Sequence, residues 1–349
     1  MKAYDSLSNT VLVCRHAEKT LQLTRLLRRE SQQRESARYI IYFSTVAAVD
    51  YFYRVSSLSN IQVIELITQI LSRLPELANF AFTSLHGDLP PRVREIALAS
   101  YISFPVSHLT PAVLLCTDVA ARGVDFADID TVIQYDPPTD PKTFSHRAGR
   151  TARAGKLGRA ILLLGTGREE EYIEFLNVRR IPLAREQYLD SELQPIPLHS
   201  SLDNDAVDLL HTIRAILKTD RELHDKAAKA FVSSLRAYTK HEATFIFRLV
   251  DLDFHSIAIG FGLLRLPAMP EVRDWKKKRD AKLAKKLKKE QEVKVEEGVA
   301  PSEPVVDIGP EVENIEWEDA DVDVSICPIH WATLMISGTI SAMRPKPVK

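Results

Sequence analysis

Short apolar runs alternate with amphipathic stretches over the first half of the chain. Most of these runs are apolar throughout, which is typical of strands covered on both faces in a parallel sheet. The predicted strands are Val11–Cys14, Tyr39–Phe43, Val113–Cys116, Thr131–Gln134 and Ala160–Leu164. Between the first two, Glu18–Arg29 places leucines at helical spacing, and helical stretches separate most of the others. The pattern predicts an α/β domain whose parallel sheet carries helices on both sides.

The pattern changes after Gly167, where we expect no further strands and a mainly helical region. The predicted helices are Glu169–Val178, Asp203–Lys218, Glu222–Tyr238 and His241–Leu249, with a connector near Pro182–Pro197. Residues 273–289 hold ten Lys or Arg residues, and residues 290–323 are acidic with few aromatics. Such a composition buries too little apolar surface to order itself, so it predicts a disordered charged tail.

Composition narrows the class of protein. The chain has 349 residues, 45% hydrophobic and 27% charged, which allows a sizeable core and is too polar for a membrane protein. No apolar run reaches the roughly 18 residues of a spanning helix, and the N-terminus lacks a secretion-signal pattern. A formal net charge of −1 means that nucleic-acid binding would depend on local basic patches. Three separate cysteines fit a reducing compartment, and their spacing indicates no metal site.

A cluster of arginines lies within residues 140–153. Asp140 is a suitable N-cap and Pro141 suits the first helical position. If the helix continues, Arg147, Arg150 and Arg153 share one side, where like charges cost stability unless a polyanion meets them. The planar guanidinium fork matches phosphate oxygens, which makes phosphate the favoured ligand. Taken alone, the stretch could equally be a solvated basic face.

A second candidate site follows the strand Val113–Cys116. The residues Thr117 to Asp125 offer a hydroxyl, two carboxylates, an arginine and a glycine. In an open parallel sheet, ligand groups collect at the carboxyl ends of strands. One strand-to-helix turn is weak evidence by itself, and the combination with the arginine cluster gives it weight.

The two stretches together resemble motifs of a known family. Thr117–Asp125 (TDVAARGVD) and His146–Arg153 (HRAGRTAR) are similar to motifs V and VI of the DEAD-box RNA helicases. Ile41–Phe52 resembles motif IV, and Ser84–Arg94 resembles the block that follows it, so four blocks occur in the family's order. Related DEAH-type and RecQ-type helicases usually begin motif VI with Gln, so His146 favours the DEAD-box branch. The resemblance implies a parallel-sheet, RecA-like (P-loop NTPase-like) helicase C-terminal lobe.

The resemblance also implies roles for individual residues. Arg150 and Arg153 match the arginine fingers that reach the γ-phosphate of ATP, and such groups contribute about 10³ to 10⁵ in turnover in other phosphoryl-transfer enzymes. Further positions match by role: Gly123 and Asp125 near the nucleotide; His146, Arg147, Asp118 and Arg122 in coupling two lobes; Ser44, Thr45, Gly87, Arg94 and Thr117 at the RNA backbone. The family often has Gln where this chain has Pro91, which weakens the expectation for Arg94.

The helical region carries a narrower resemblance. Asp220–Phe247 and Phe254–Pro270 are similar to the C-terminal domain of nucleolar DEAD-box helicases that act in large-ribosomal-subunit assembly. This implies pre-rRNA as the partner and a nuclear, nucleolar location. The extension could be a helical prop under the lobe or a direct RNA contact. The basic run could be a solvated tail, an rRNA-binding segment or a nuclear address.

Two first-lobe motifs are absent from the sequence. Neither GxxxxGK[ST] nor Asp-Glu-Ala-Asp occurs, so ATP with Mg²⁺ is expected to be shared with a first lobe outside this chain. We therefore expect this chain alone to be inactive and to derive from an ATP-dependent RNA helicase that acts in rRNA maturation. The alternatives are a non-catalytic RNA-binding scaffold and an adaptor that docks onto another helicase's first lobe.

The predicted domains are the lobe (1–180), the helical extension (181–275) and the tail (276–349). Residues 55–69 interrupt the family's pattern and are a candidate insertion in the lobe. Both this stretch and residues 324–349 begin Val-Ser, a pair that a typical intron start can encode. The hypothesis is translated intron sequence in both, and the alternative for the first is a genuine surface insertion.

Overall fold

The computed structural model describes residues 7–34, 37–53, 77–118, 128–153, 155–199 and 201–281. Within these ranges, seven parallel strands form one sheet in the order β3-β4-β2-β5-β6-β1-β7. They are β1 (Leu7–Cys14), β2 (Arg38–Tyr42), β3 (Ala81–Leu85), β4 (Ala112–Cys116), β5 (Thr131–Gln134), β6 (Gly158–Gly165) and β7 (Ala184–Glu186). The parallel α/β sheet expected from the apolar runs is confirmed.

Helices cover both faces of the sheet. They are α1 (Lys19–Arg34), α2 (Val46–Phe52), α3 (Pro91–Ser103), α4 (Pro141–Ala148), α5 (Glu171–Val178), α6 (Asn204–Thr219), α7 (Arg221–Tyr238) and α8 (Phe254–Gly260). Successive strand residues enter two separate cores, as the alternation of side chains in a strand requires. Ile41 joins the core shared with α1, α2 and α7, whereas Ile40 joins the core shared with α3, α4 and α5.

The extension packs on the α1 and α2 face of the sheet as part of the same core. Phe261, which follows α8, lies beside Tyr51 and Phe52 of α2, and the Tyr51 hydroxyl donates to the Phe261 carbonyl oxygen at 2.6 Å. Residues 270–281 are helical, and Trp275 stacks on Phe254 with ring centroids 5.1 Å apart. The extension therefore contributes side chains to the hydrophobic core of the lobe.

Two predictions about the second half of the chain are wrong. Strands do not stop after Gly167, because β7 adds to the edge of the sheet beside β1, and β8 (Tyr188–Leu189) pairs with β9 (Pro195–Ile196). Ion pairs stabilise this connector, because Glu186 of β7 pairs with both Arg29 and Arg159. The second error is the helix predicted over 241–249.

Residues 241–248 form turns in place of that helix, and a short 3-10 helix follows at Leu249–Asp251. His241 stacks on Phe247 with centroids 3.8 Å apart, and Glu242 N donates to Thr139 O at 3.0 Å. Tertiary contacts thus replace local helical hydrogen bonds, which periodicity alone cannot reveal. Residues 276–281 continue the helix that begins at 270, while the candidate insertion 55–69 and residues 282–349 lie outside the described residues. Across the described ranges, no helix is both long and apolar enough to cross a membrane.

Candidate functional site

The sheet brings most of the described candidate residues to one edge, the edge formed by the carboxyl ends of its strands. Because parallel strands all end on the same side, the residues that follow them become neighbours. The residues in question are Ser44 and Thr45 after β2, His86 and Gly87 after β3, Thr117 and Asp118 after β4, and Asp136 after β5. The candidates Arg122, Gly123 and Asp125 lie outside the described residues, so their roles stay predictions.

Arg147 is the buried centre of this edge. Its side chain is fully buried and bidentate on Asp118, with Nε to Oδ1 at 2.5 Å and Nη2 to Oδ2 at 2.9 Å. Nη1 donates to the Asp136 carbonyl oxygen at 2.8 Å and to Gln134 Oε1 at 3.4 Å. The guanidinium carbon also lies 5.1 Å from the centre of the Tyr42 ring. One side chain therefore ties the ends of β4 and β5 to α4.

Arg150 and Arg153 lie beyond the end of α4. Asp140 caps this helix by accepting from Lys142 N at 2.8 Å, as predicted, but the helix ends at Ala148. The expectation that one helical side carries all three arginines is therefore wrong, because Arg147 points into the protein. Arg150 and Arg153 are each partly exposed. Their Nε atoms donate to His146 O at 3.4 Å and Gly149 O at 3.0 Å.

The turn that carries these two arginines is anchored on its inner side. The Thr151 hydroxyl is within hydrogen-bonding distance of Ile129 O at 2.6 Å and of Asp130 O at 3.0 Å. Ala152 adopts a positive φ of 58°, and a Cβ on Gly158 would lie only 2.3 Å from Ala152 N. Such close backbone packing fixes the turn, whereas His146 projects as an exposed side chain from the last turn of α4.

Ser44 and Thr45 are held by a network of hydroxyl hydrogen bonds. Ser44 donates through both its backbone N–H (3.0 Å) and its hydroxyl (2.9 Å) to Asp136 Oδ2. Thr45 is the N-cap of α2 and accepts from Ala48 N at 3.2 Å. Its hydroxyl oxygen lies 3.1 Å from that of Ser233 on α7. The extension therefore touches a candidate RNA residue directly.

The remaining RNA candidates differ in how far they reach solvent. Gly87 is exposed beside His86, whose Nε2 lies 3.0 Å from Asp50 Oδ1 on α2. Arg94 is partly buried in the first turns of α3. Pro91 is the first residue of that helix, where its missing N–H costs no helical hydrogen bond.

Thr117 is only 6% exposed, and within the described part of the chain its hydroxyl has no hydrogen-bond partner. Sequence reasoning missed Asp136 and Ser233. Asp136 follows the predicted strand Thr131–Gln134. Because ligand groups collect at the carboxyl ends of parallel strands, the reasoning that selected Thr117 could also have selected Asp136. Nothing in the sequence pairs Ser233 with Thr45, because their contact spans 188 positions.

A cavity lies between this edge and the extension, lined by charged and aromatic side chains. Lys19 Nζ lies 4.9 Å from the Tyr135 ring centre and 3.9 Å from Asp136 Oδ1. His16 Nε2 lies 3.4 Å from Glu169 Oε1, and burial lowers the pKa of His16. Burial alone raises the pKa of Glu169, but His16, Lys19 and the N–H of Gly165 together lower it. Among the described residues, no group of three or more His, Cys, Asp or Glu side chains could hold a metal ion.

Two regions of the chain match models of known protein families. The helicase conserved C-terminal domain matches residues 18–155, and the C-terminal extension of ATP-dependent rRNA helicases of the SPB4 type matches residues 220–269. The first region contains β2 to β5 and α4, and the second contains all of α7 and α8. Together they include the Thr45–Ser233 contact.

Two curated relatives show the extent of the similarity. The ATP-dependent rRNA helicase SPB4 of Cryptococcus neoformans is 55% identical over 341 residues, covering 91% of this chain and 42% of the relative. The DEAD-box ATP-dependent RNA helicase 18 of Arabidopsis thaliana is 40% identical over 260 residues, covering 74% of this chain and 37% of the relative. The chain thus spans less than half the length of either relative.

Solved structures agree on the fold. Domain 2 of the Mss116p DEAD-box helicase bound to an RNA duplex superposes with a TM-score of 0.53 at 19% identity, covering 74% of this chain and 86% of that one. Mss116 bound to single-stranded RNA and UDP-BeF superposes with a TM-score of 0.56 at 18% identity, covering 77% and 47%. At such low identity, these superpositions establish the RecA-like fold and nothing finer.

Proposed function

Because the chain belongs to the DEAD-box RNA helicase family, we propose that it supplies the second RecA-like half of an ATP-dependent rRNA helicase. In this proposal, the whole protein remodels pre-rRNA during assembly of the large ribosomal subunit. The 55% identity to an rRNA helicase and the match to its C-terminal extension support this reaction and this substrate class. The nucleus, and within it the nucleolus, is the proposed location.

One observation carries the proposal: the bidentate Arg147–Asp118 pair joins the end of β4 to α4. These elements bear the two stretches that resemble motifs V and VI. In the proposal, His146, Arg147, Asp118 and Arg122 transmit closure between the two lobes. The buried pair supports that role, because a rigid connection moves both stretches as one body when the lobes approach each other.

Arg150 and Arg153 are proposed as the groups that meet the γ-phosphate of ATP. Phosphoryl transfer is catalysed largely by positioning and by positive charge at the transferred group. Both guanidinium groups lie on an anchored turn, are partly exposed and are oriented by an Nε–carbonyl hydrogen bond. These donors suit phosphate oxygens, and Gly123 and Asp125 are proposed near the ribose. The Mg²⁺ that accompanies ATP is proposed to be held by the first lobe.

The RNA half-site is proposed at Ser44, Thr45, Gly87, Arg94 and Thr117. Exposure favours Ser44, Thr45 and Gly87 over Thr117, whose hydroxyl is buried. The basic stretch that begins in the helix 270–281 is proposed as a sequence-independent contact to rRNA, with a salt-dependent affinity. Contacts of this kind position an RNA strand without reading its bases.

The affinity for single-stranded RNA in the presence and absence of nucleotide tests this function. The chain is joined to the first lobe of the Cryptococcus neoformans relative, and RNA binding is measured by fluorescence anisotropy with ADP or with a non-hydrolysable ATP analogue. We expect tighter binding with the ATP analogue, and we expect Arg150→Ala to remove that difference. Lys142→Ala, an exposed cation on the adjacent α4, serves as the matched control and should retain the difference.

Two alternatives predict different results, one in this assay and one when the first lobe is supplied as a separate chain. A non-catalytic RNA-binding scaffold would bind RNA with the same affinity whichever nucleotide is present, and Arg150→Ala would not change that affinity. An adaptor would bind a first lobe supplied as a separate chain without gaining affinity for RNA. Either result would contradict the proposed function.

A further inference from the structure

Lys19 is a buried lysine at the carboxyl edge of the sheet. It is the first residue of α1 and is only 5% exposed, a degree of burial that lysine almost never shows unless it is paired. Its Nζ atom lies 3.9 Å from Asp136 Oδ1 and 4.9 Å from the centre of the Tyr135 ring. Both neighbours directly follow β5, which ends at Gln134. The charge of Lys19 is therefore directed at the residues that leave this strand.

The extension covers Lys19. Apolar side chains of the extension line the same cavity as Lys19. The turn before Lys19 also packs on α8, because Ala17 N donates to Ser256 Oγ at 3.0 Å and a Cβ on Gly260 would lie only 2.6 Å from His16 O. With so little exposure, the ammonium group is not placed to contact a phosphate of bound RNA.

Asp136 connects Lys19 to the proposed RNA half-site. Its Oδ2 accepts the backbone N–H of Ser44 at 3.0 Å and the Ser44 hydroxyl at 2.9 Å, while its Oδ1 lies on the side of Lys19. The torsion that turns a carboxylate about its Cβ–Cγ bond has broad preferences, so hydrogen bonds to one oxygen leave it free to reorient. Attraction between Lys19 and Oδ1 opposes that reorientation and keeps Oδ2 directed at Ser44.

We propose that Lys19 is a positioning residue for RNA binding: its ammonium group orients the Asp136 carboxylate, which in turn fixes Ser44 in the RNA half-site. This inference rests on the proposed function and adds to it a residue that lies outside the stretches resembling helicase motifs. Lys19 acts through Asp136 and does not touch the RNA. The extension contributes to RNA binding in this way because it encloses Lys19.

The test measures the affinity for single-stranded RNA of the chain joined to a first lobe, with the ATP analogue bound, at several salt concentrations. Lys19→Met removes the charge and keeps a long apolar side chain. We expect the affinity to fall about three- to tenfold, a modest loss because Asp136 is 21% exposed and partly hydrated. The slope of log affinity against log salt should not change, whereas loss of a direct phosphate contact would reduce its magnitude by roughly 0.7.

Three further variants separate positioning from general damage. Lys19→Arg keeps the charge and should retain most of the affinity. Lys19→Gln loses the charge and should show the same loss as Lys19→Met, which also provides the test should the methionine variant fail to fold. Lys226→Met is the matched control, because it removes a lysine of α7 that pairs with the exposed Glu222, and it should bind RNA like the wild type. A purely structural role for Lys19 would lower the melting temperature and leave the RNA affinity unchanged.

A double variant tests whether Lys19 acts through Ser44. If it does, Lys19→Met combined with Ser44→Ala should bind RNA no more weakly than Ser44→Ala alone. Additive losses, a reduced salt slope in Lys19→Met, or an unchanged affinity in that variant would overturn this inference and leave the RNA half-site standing. Wild-type joined protein that binds RNA no more tightly with the ATP analogue than with ADP would instead overturn the proposed function.

Discussion

Breaking the Arg147–Asp118 pair should reveal how strongly it holds the site together. Asp118→Ala leaves the Arg147 guanidinium, whose side chain is fully buried, without its carboxylate. Removing one partner of a buried ion pair typically costs about 3–5 kcal/mol, and that full cost is expected here because Arg147 cannot reach water.

Arg147→Met is expected to cost less. It leaves Asp118 without its partner, but that side chain is 36% exposed and can be hydrated. The acceptors Gln134 Oε1, which is buried, and Asp136 O, which is partly buried, also lose their donor. Together these losses give about 2–4 kcal/mol. The double variant should cost about 2 kcal/mol less than the sum of the two single variants, because neither partner is then left alone.

Urea denaturation followed by circular dichroism measures these free energies of unfolding. The values should change little between low and high salt, since a buried pair is poorly screened. Lys156→Ala is the matched control, because it removes a pair with Asp128 in which both side chains are more than 60% exposed, and it should leave the free energy of unfolding almost unchanged. The account of this pair would be refuted if the double variant cost as much as the sum of the two single variants. A cost for Asp118→Ala no larger than that of the control would refute it as well.

Three further predictions concern buried groups. Burial lowers the pKa of His241 to about 4. The unfolded chain therefore binds the extra proton between about pH 6.5 and 4, and stability should fall by up to roughly 3 kcal/mol as the pH drops through that window. Urea denaturation at pH 7.5 and 4.5 should show a smaller loss in His241→Phe, and an equal loss would contradict this. Burial raises the pKa of Cys14 and Cys116, so iodoacetamide should label both thiols only after the chain unfolds. Peptide mass spectrometry measures the labelling, and labelled Cys14 or Cys116 in the native chain would contradict this prediction. Gly158→Ala should lower the melting temperature more than Gly155→Ala, because its added Cβ would lie 2.3 Å from Ala152 N. The Cβ added at Gly155 meets open space, so only the strain of a φ of 78° remains. The reverse order of melting temperatures would argue against the close packing at Gly158.

The sequence allowed most of the sheet and the start of α4 to be predicted. The predicted strands match β2, β4, β5 and β6 to within two residues at either end because these strands are buried on both faces and read as apolar runs, whereas Val11–Cys14 is only the apolar second half of β1. Asp140 and Pro141 mark the beginning of α4 because capping depends on adjacent residues. Signals of this kind depend on residues that are neighbours in the sequence, so they can be read without the folded structure.

Elements determined by distant contacts could not be predicted in the same way. β7 carries the polar sequence Ala-Arg-Glu, and ion pairs to Arg29 and Arg159 help hold it at the sheet edge. The end of α4 depends on the turn packed against Gly158, and periodicity cannot show that Arg147 faces inward. Thr45 and Ser233 are 188 positions apart in the sequence, so only the folded chain reveals their contact.

The rate of RNA-stimulated ATP hydrolysis tests the central claim most directly. The chain is assayed alone, joined to the first lobe of the Cryptococcus neoformans relative, and joined to that lobe with Arg150→Ala or Lys142→Ala. We expect hydrolysis only when the first lobe is present, a loss of about 10³-fold or more with Arg150→Ala, and the wild-type rate with Lys142→Ala. A joined protein that hydrolyses ATP equally well with and without the Arg150 side chain would contradict the claim that this lobe supplies the arginine fingers.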